Sequence, residues 1–343
     1  MSTTSPEELR TVLRHCAERV LDYDYGVWFG GDALPMDGLL DAAEVLEEER
    51  WASEVHRHVG RWVRHTEQYP ISWTDQMAPG SAIVRVGERY GDRAAIDAAE
   101  RLARFMDDVP RSRWLDLPLR FPHWPQLRDV VLVDSLYYDG TFYYALARAT
   151  GDESYFERGS RCLESVMSAL LGSSNSGFFP HAVNAATRSA LGDGWGRGSG
   201  YALLGLVDAL ELLPASHPEH ARIAGTVSEV AARLLPLQDS TGFWRTILHN
   251  REAYLETSTA AFFAAVFAKG IRLGLLDDAI FGDPGDRALS ALLTRIDEEG
   301  RVFGVSGLSF PDEQAAYLRI PTEVNSWGQG VAVRALVERL RVG

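Results

Sequence analysis

The chain is short of cysteine, short of positive charge and without a long apolar run. Cys16 and Cys162 are its only cysteines in 343 residues. Two thiols cannot build the disulfide framework of a small secreted scaffold, so a reducing, cytoplasmic setting is expected. Lysine and arginine number 34 against 48 aspartates and glutamates, a formal charge of −14. A nucleic-acid partner needs a basic footprint, and none is expected here. A small anionic substrate is still compatible, because its binding is decided locally. No apolar stretch approaches the roughly 18–20 residues that cross a bilayer. Met1 to Glu8 is polar and acidic, with no apolar signal core, and no membrane partner is expected. HExxH, Cys/His clusters and EF-hand loops are missing, so neither metal nor cofactor is expected. GxSxG, Walker and Rossmann glycine patterns are missing as well.

What the chain does have is helical periodicity. With 46% hydrophobic and 24% charged residues it has the composition of a folded globular protein. Apolar positions recur at helical spacing over 7–22, 36–48, 50–67, 79–90, 92–108, 131–150, 152–170, 197–213, 218–236, 255–275, 284–297 and 326–341. Convincing period-2 segments are nearly absent. Pro6 and Pro284 read as helix openers, and Gly91-Asp92 and Gly151-Asp152 as stop-then-cap pairs.

The connections alternate in length. They are tight near Glu49, Gly91, Gly151, 214–217 and 276–283. They are long over 23–35, 68–78, 109–130, 171–196, 237–254 and 298–325. Segments 197–213 and 255–275 are apolar nearly all round, whereas 92–108 and 218–236 carry a charged face. Inner helices alternating with outer ones describe an all-α (α/α)6 barrel, one six-hairpin toroid spanning residues 1–343. The rival arrangement, an open solenoid of helix pairs, calls for even repeats and short loops throughout. In a toroid all six long loops share one end, each leading into the N-terminus of an inner helix. Those N-termini bring partial positive charge and spare N–H groups to one funnel, which suits a carboxylate.

The long loops hold Trp28, Trp73, Trp114, Trp124, Trp195 and Trp244, and Trp327 opens the last inner helix. Some of these must plug the core. Flat aromatic faces also suit the C–H faces of sugar rings. Asp75, in WTDQMAPG, and Asp134, in VLVDSLYYDG, each precede an inner helix. Either alone reads as an N-terminal acid that favours the helix dipole. Together at one mouth, two carboxylates push each other's pKa values apart and leave one able to hold a proton near neutrality. His181 stands in GFFPHAVN. Arg197, in WGRGSGY, lies at a helix start where the dipole opposes a cation, so an anionic partner is expected: Asp75, Asp134 or a substrate carboxylate.

The ordered set WTDQMAPG, VDSLYYDGTFYYALARATGDESYF, GFFPHA, WGRGSGYALLGLVDALELLP, QDSTGFWRTIL, YLETSTAAFFAAVFAKGIRLGLL and NSWGQG resembles glycoside hydrolase families 88 and 105. These are the unsaturated glucuronyl and unsaturated rhamnogalacturonyl hydrolases. The resemblance implies an (α/α)6 barrel that removes a Δ4,5-unsaturated uronic acid from the non-reducing end of lyase-made oligosaccharides. The implied reaction hydrates the C4=C5 vinyl ether, unlike ordinary glycosidases, whose carboxylates act at the anomeric carbon. It implies Asp134 as general acid/base and Asp75 as the second acid. His181, Trp195 and Arg197 match positions lining the unsaturated sugar, Trp28 matches an aromatic wall, and Trp327 is assigned to substrate binding. The chain departs from the family at Ala182-Val183, Ser199 and Tyr201, near where the next sugar is expected. The expected partner is a small oligosaccharide with a terminal unsaturated uronate. Alternatives are an epimerase or conventional glycosidase on the same toroid, or a non-catalytic carbohydrate-binding toroid. An epimerase would call for a second well-placed histidine, for which His123 is the candidate.

Overall fold

Helices apolar on every side have to be enclosed, and helices with one apolar stripe have to enclose them. A computed structural model describes residues 5–26, 28–72, 74–121, 124–125 and 127–342, and these two helix types alternate through it. The outer helices are α1 (Pro6–Val20), α3 (Glu49–Gln68), α5 (Arg93–Asp107), α7 (Ser154–Ser173), α9 (Pro218–Leu234) and α11 (Asp278–Leu293). The inner helices are α2 (Gly30–Val45), α4 (Gly80–Tyr90), α6 (Ser135–Thr150), α8 (Gly196–Leu212), α10 (Thr257–Arg272) and α13 (Ser326–Val342); α12 (Gln314–Tyr317) is a single turn in the last long loop. On α5 the buried residues, among them Ile96, Ala99, Leu102 and Met106, fall on one stripe. On α8 every residue from Gly196 to Leu210 is buried.

The inner helices contact one another in the order α2, α4, α6, α8, α10, α13 and back to α2, which closes the ring. Each outer helix packs on the inner helix that follows or precedes it. This is the (α/α)6 barrel expected from the sequence. Among the described residues no helix is long and apolar enough to cross a membrane.

Local chemistry sets the helix ends. Ser5 and Glu8 form a capping box at α1, with Ser5 N donating to Glu8 Oε2 at 2.7 Å. Gly91 and Gly151 end α4 and α6 in left-handed conformation, at φ 61° and 74°. Three starts differ from expectation, the first being α6, which begins at Ser135 rather than 131 because residues 131 and 132 lie in a short strand. Helix α2 begins at Gly30, six residues early, and carries Pro35 inside it. A proline there leaves the Gly31 carbonyl without its helical donor. Ser326 Oγ supplies one at 3.2 Å, so the neighbouring helix makes this start tolerable. Helix α11 begins at Asp278, capped by Asp277 accepting from Ala279 N at 3.0 Å, and Pro284 lies within it rather than opening it.

The long loops also contain short strands that no periodicity announces. β1 (Val130–Leu132), β2 (Ala182–Asn184) and β3 (Ala190–Leu191) form an antiparallel sheet in that order, with Val131 opposite Val183 and Ala182 opposite Leu191. β4 (Trp244–Arg245) pairs with β5 (Leu255–Glu256), and β6 (Val305–Ser306) with β7 (Thr322–Glu323). These pairings stitch the loops into a floor over the ring's upper end.

Candidate active site

The loop sheet decides where the reactive groups stand. β1 ends two residues before Asp134 and β2 starts one residue after His181. Val133 N donates to His181 O at 2.9 Å, which joins the two loops at the cavity. Asp134 directly precedes α6, and its side chain makes no capping bond. Asp75 sits in a 3-10 turn, Thr74–Met77, and its Oδ2 accepts from Gly30 N at 2.7 Å, at the first residue of α2. A carboxylate there meets an unsatisfied helix-start donor and the positive end of the dipole. Gly30 has to be glycine, because a Cβ would lie 2.8 Å from Tyr138 Oη and 3.4 Å from the Asp75 carboxylate. Tyr138 Oη in turn donates to Gly30 O at 3.0 Å.

Asp75, Asp134, His181, Trp195, Arg197 and Trp327 line one cavity. It encloses about 750 Å³ of atom-free space, open mouth included. Trp28 is not among its lining residues. It is buried against Trp62, ring centroids 5.3 Å apart, at a left-handed φ of 58°. The ring that the first loop presents to the cavity is Phe29. Trp73 and His123 fall outside the described residues. Trp244 is fully buried in the core, while Trp114 and Trp124 are about half exposed.

Burial pushes the Asp134 carboxyl up to about 6, the Asp75 charge adds to the rise, and Arg120 and Arg197 oppose it. Burial also raises Asp75, against Arg120 and the Gly30 N–H. Burial drives the His181 imidazole well below its usual value, and Arg197 pushes the same way. His181 Nδ1 lies 2.7 Å from Tyr317 Oη and its ring packs on Trp195, centroids 4.0 Å apart. His181 is therefore a neutral hydrogen-bonding group near pH 7.

Arg197 is buried and pairs with neither acid. Its Nη1 donates to Ser306 O at 2.6 Å, and its Nη2 to Gly307 O at 2.8 Å and Ser309 Oγ at 3.0 Å. The guanidinium lies over Trp195 and Trp327, 4.9 and 5.4 Å from their ring centroids. Among the described residues no carboxylate forms an ion pair with it, and a desolvated cation facing a cavity is a receptor for an anion. The carbonyls that hold Arg197 are held by Glu256, which caps α10 through Ser258 N and Thr259 N and accepts from Ser306 N at 2.8 Å.

Two lining residues carry no sequence signal of their own. Arg120 comes from the third long loop and packs over Tyr138, 5.3 Å from the ring centroid. Tyr138 follows Asp134 by four positions, so helical spacing alone would place it on the same face. Of the departures from the family pattern, Tyr201 lines the cavity. Ala182, Val183 and Ser199 are buried beneath it, with Ser199 Oγ on Phe179 O at 3.3 Å.

Comparison with known proteins gives a match to the model of Glycosyl Hydrolase Family 88 over residues 6–343. An unsaturated rhamnogalacturonyl hydrolase, YesR of Bacillus subtilis, is 25% identical over 347 residues, covering 98% of this chain and 96% of its own. A crystal structure from Salmonella enterica described as a possible GH105 member superposes with a TM-score of 0.89 at 18% identity, over 98% of this chain and 94% of that one. The unsaturated glucuronyl hydrolase of Bacillus sp. GL1, responsible for glycosaminoglycan degradation, superposes with a TM-score of 0.71 at 16% identity, over 95% and 94%. At such identities the superpositions establish the shared fold.

Proposed function

The chain belongs to Glycosyl Hydrolase Family 88 and is a hydrolase, and we propose that it removes a Δ4,5-unsaturated uronic acid from the non-reducing end of lyase-generated oligosaccharides. The observation that carries this reading is one cavity holding a carboxyl raised to about 6, a second carboxylate and a buried arginine that has no carboxylate partner among the described residues. Arg197 receives the uronate carboxylate, with Trp195 and Trp327 excluding water around the pair. Asp134, in the protonated form that its rise to about 6 keeps populated near neutrality, gives its proton to C4 while the C4=C5 π electrons form the new C–H bond. Positive charge develops at C5 and on the ring oxygen. Water adds at C5 and gives its proton to Asp134, now a carboxylate. The hemiketal opens by breaking the bond from C5 to the ring oxygen, and the resulting hemiacetal at C1 expels the aglycone. Asp75, whose carboxylate accepts from Gly30 N at the start of α2, adds its charge to the burial that favours the protonated form of Asp134.

We take residues 1–343 as one catalytic unit, supported by the ring closure and by the family match over 6–343. A cytoplasmic setting is supported by the two unpaired thiols, Cys16 and Cys162. The small oligosaccharide substrate is supported by the names of the relatives and by the cavity's lining of aromatic rings and charged groups.

The test follows isotope and unsaturation. Turnover in ¹⁸O-water should place the label at C5 of the released keto sugar, and D₂O should place deuterium at C4. A saturated glucuronide with the same aglycone should be inert. Efficient cleavage of that saturated analogue, or a product that keeps its conjugated-alkene absorbance, would sink the mechanism and favour conventional attack at the anomeric carbon.

A further inference from the structure

We propose that Arg120, oriented by Asp139, is a positioning residue that holds the turn bearing Asp75 against the helix start bearing Asp134. The inference rests on the functional reading above only for the reaction used to observe it.

The Arg120 guanidinium reaches both acid-bearing segments. Its Nε donates to Ser135 Oγ at 3.0 Å, and Ser135 is the residue after Asp134. Its Nη1 donates to Thr74 O at 3.3 Å, and Thr74 is the residue before Asp75. Thr74 Oγ1 donates back to the carbonyl of Arg120 itself. Its Nη2 is engaged by Asp139 Oδ1, one turn down α6. One planar fork therefore bonds the chain neighbours of both acids, and Tyr138 under its face closes a circuit through Gly30 back to Asp75. Arg120 and Asp139 are each 3% exposed, so neither bond is exchanged for water. A lysine has a point charge and no fork, and could not make these bonds together.

Asp139 faces the other way as well: its second oxygen accepts from Cys162 Sγ at 3.3 Å. It is thus engaged at both oxygens and serves as the anchor of Arg120. The ionisable groups facing this assembly are Asp75 from the turn, Asp134, Tyr138, Asp139 and Tyr143 from α6, Arg158, Arg161 and Cys162 from α7, Arg111 from the third long loop, Asp32 from α2, Arg197 and Tyr201 from α8, His181 from its loop and Tyr317 from α12. Burial pushes the thiol and the phenols up and the imidazole down. Asp134, pushed up to about 6, and Asp32, pushed up to about 7 chiefly by burial, are left to titrate near neutrality, and burial raises Asp75 from its ordinary value as well.

Position and charge can then be separated by three variants. Arg120→Lys keeps the charge and loses the fork; kcat should fall about 10–100-fold with KM little changed, because misplaced reacting groups cost rate, while the pH profile stays near that of wild type. Arg120→Gln loses both, so kcat falls and the profile moves to higher pH by about one unit, since a nearby cation no longer favours the ionised acids. Asp139→Asn leaves the Arg120 charge uncompensated, and the profile moves to lower pH. Should Arg120→Gln fail to fold because Asp139 is left buried without its cation, the double variant Arg120→Gln/Asp139→Asn restores neutrality; it should show the same low kcat and a smaller upward displacement. Infrared titration of the carboxyl groups reads the same displacements without substrate. Folded variants with kcat within about twofold of wild type and an unmoved profile would overturn the proposal. A wild type that prefers the saturated glycoside would count against the reaction instead, and the variants would then be compared on that substrate.

Discussion

Asp134, the proposed acid, is held in a state the unfolded chain does not share. Its carboxyl rises from the ordinary 3.8 to about 6, chiefly through burial. Between those two values the folded protein keeps a proton that the unfolded chain has released, so this residue lowers stability as pH rises across that window. Above it the cost is about 1–3 kcal/mol, at about 1.4 kcal/mol per pKa unit. Asparagine has no charge to desolvate. Asp134→Asn should therefore be more stable than wild type at pH 7, with the difference vanishing near pH 4, while kcat drops by about 10²–10⁴-fold. Melting curves at both pH values and single-turnover rates check this. A variant less stable at pH 7, or one that turns over at the wild-type rate, would contradict the assignment.

At the scale of helices, the site depends on how closely α6 and α8 approach. Gly205 on α8 touches the backbone of α6: a Cβ there would stand 2.3 Å from Tyr137 Cα and 2.4 Å from Leu136 O. Backbone atoms in a packed ring cannot give way as a flexible side chain does. Gly205→Ala should lower stability by about 1–3 kcal/mol, the usual range for overpacking, and should lower kcat too, because Leu136 and Tyr137 belong to the turn that follows Asp134. An unchanged melting temperature would show that the helices separate freely. The NSWGQG run has a comparable structural task. Asn325 Oδ1 accepts from Gly328 N at 2.9 Å at the start of α13, and Gln329 Nε2 reaches the carbonyls of Cys16 and Gly300 at 3.2 and 2.7 Å. The motif seats the helix that closes the ring.

The whole ring has opposite electrical ends. Six helix N-termini face the active-site loops, so six C-termini with partial negative charge meet at the other end. Buried cations answer them there. Arg334 forms an ion pair with Asp41 at 2.8 Å and donates to Asp208 at 2.8 Å and to Tyr137 Oη at 3.1 Å. Lys269, the one lysine in the sequence, pairs with Asp208 and Glu211. Burial alone would raise Asp41, but Arg85, Arg334 and Arg341 together hold it well below the carboxylate range. A depressed folded value contributes stability above about pH 4 that is lost as pH falls further. Arg334→Met leaves Asp41 and Asp208 buried without their shared cation and should cost about 3–5 kcal/mol, with KM unchanged in the enzyme that remains folded. Denaturant unfolding measures the first and initial rates the second. A loss below about 1 kcal/mol would mean the network is incidental to closure.

Much of this architecture was legible in the amino-acid order. Helical periodicity, the contrast between all-apolar and one-faced helices, and the alternation of short and long connections are local properties, and together they dictate a closed ring with its long loops at one end. Asp75, Asp134, His181 and Arg197 could be named because each stands at the start of an inner helix or in a loop leading to one. Only the folded chain decided what those loops do. Strands of two or three residues have no readable period, yet β1 and β2 bring Asp134 and His181 to one cavity. Trp28 and Phe29 are adjacent in sequence, and a left-handed turn sends one into the core and the other to the cavity. Arg120 has no motif, and its importance comes from contacts across 15 to 46 positions of chain. Of the anions open to Arg197, the fold supplies neither Asp75 nor Asp134 and surrounds the guanidinium with carbonyls and indoles. Helix placement follows from neighbours within a few residues. The direction of a loop side chain follows from contacts made only when distant segments meet.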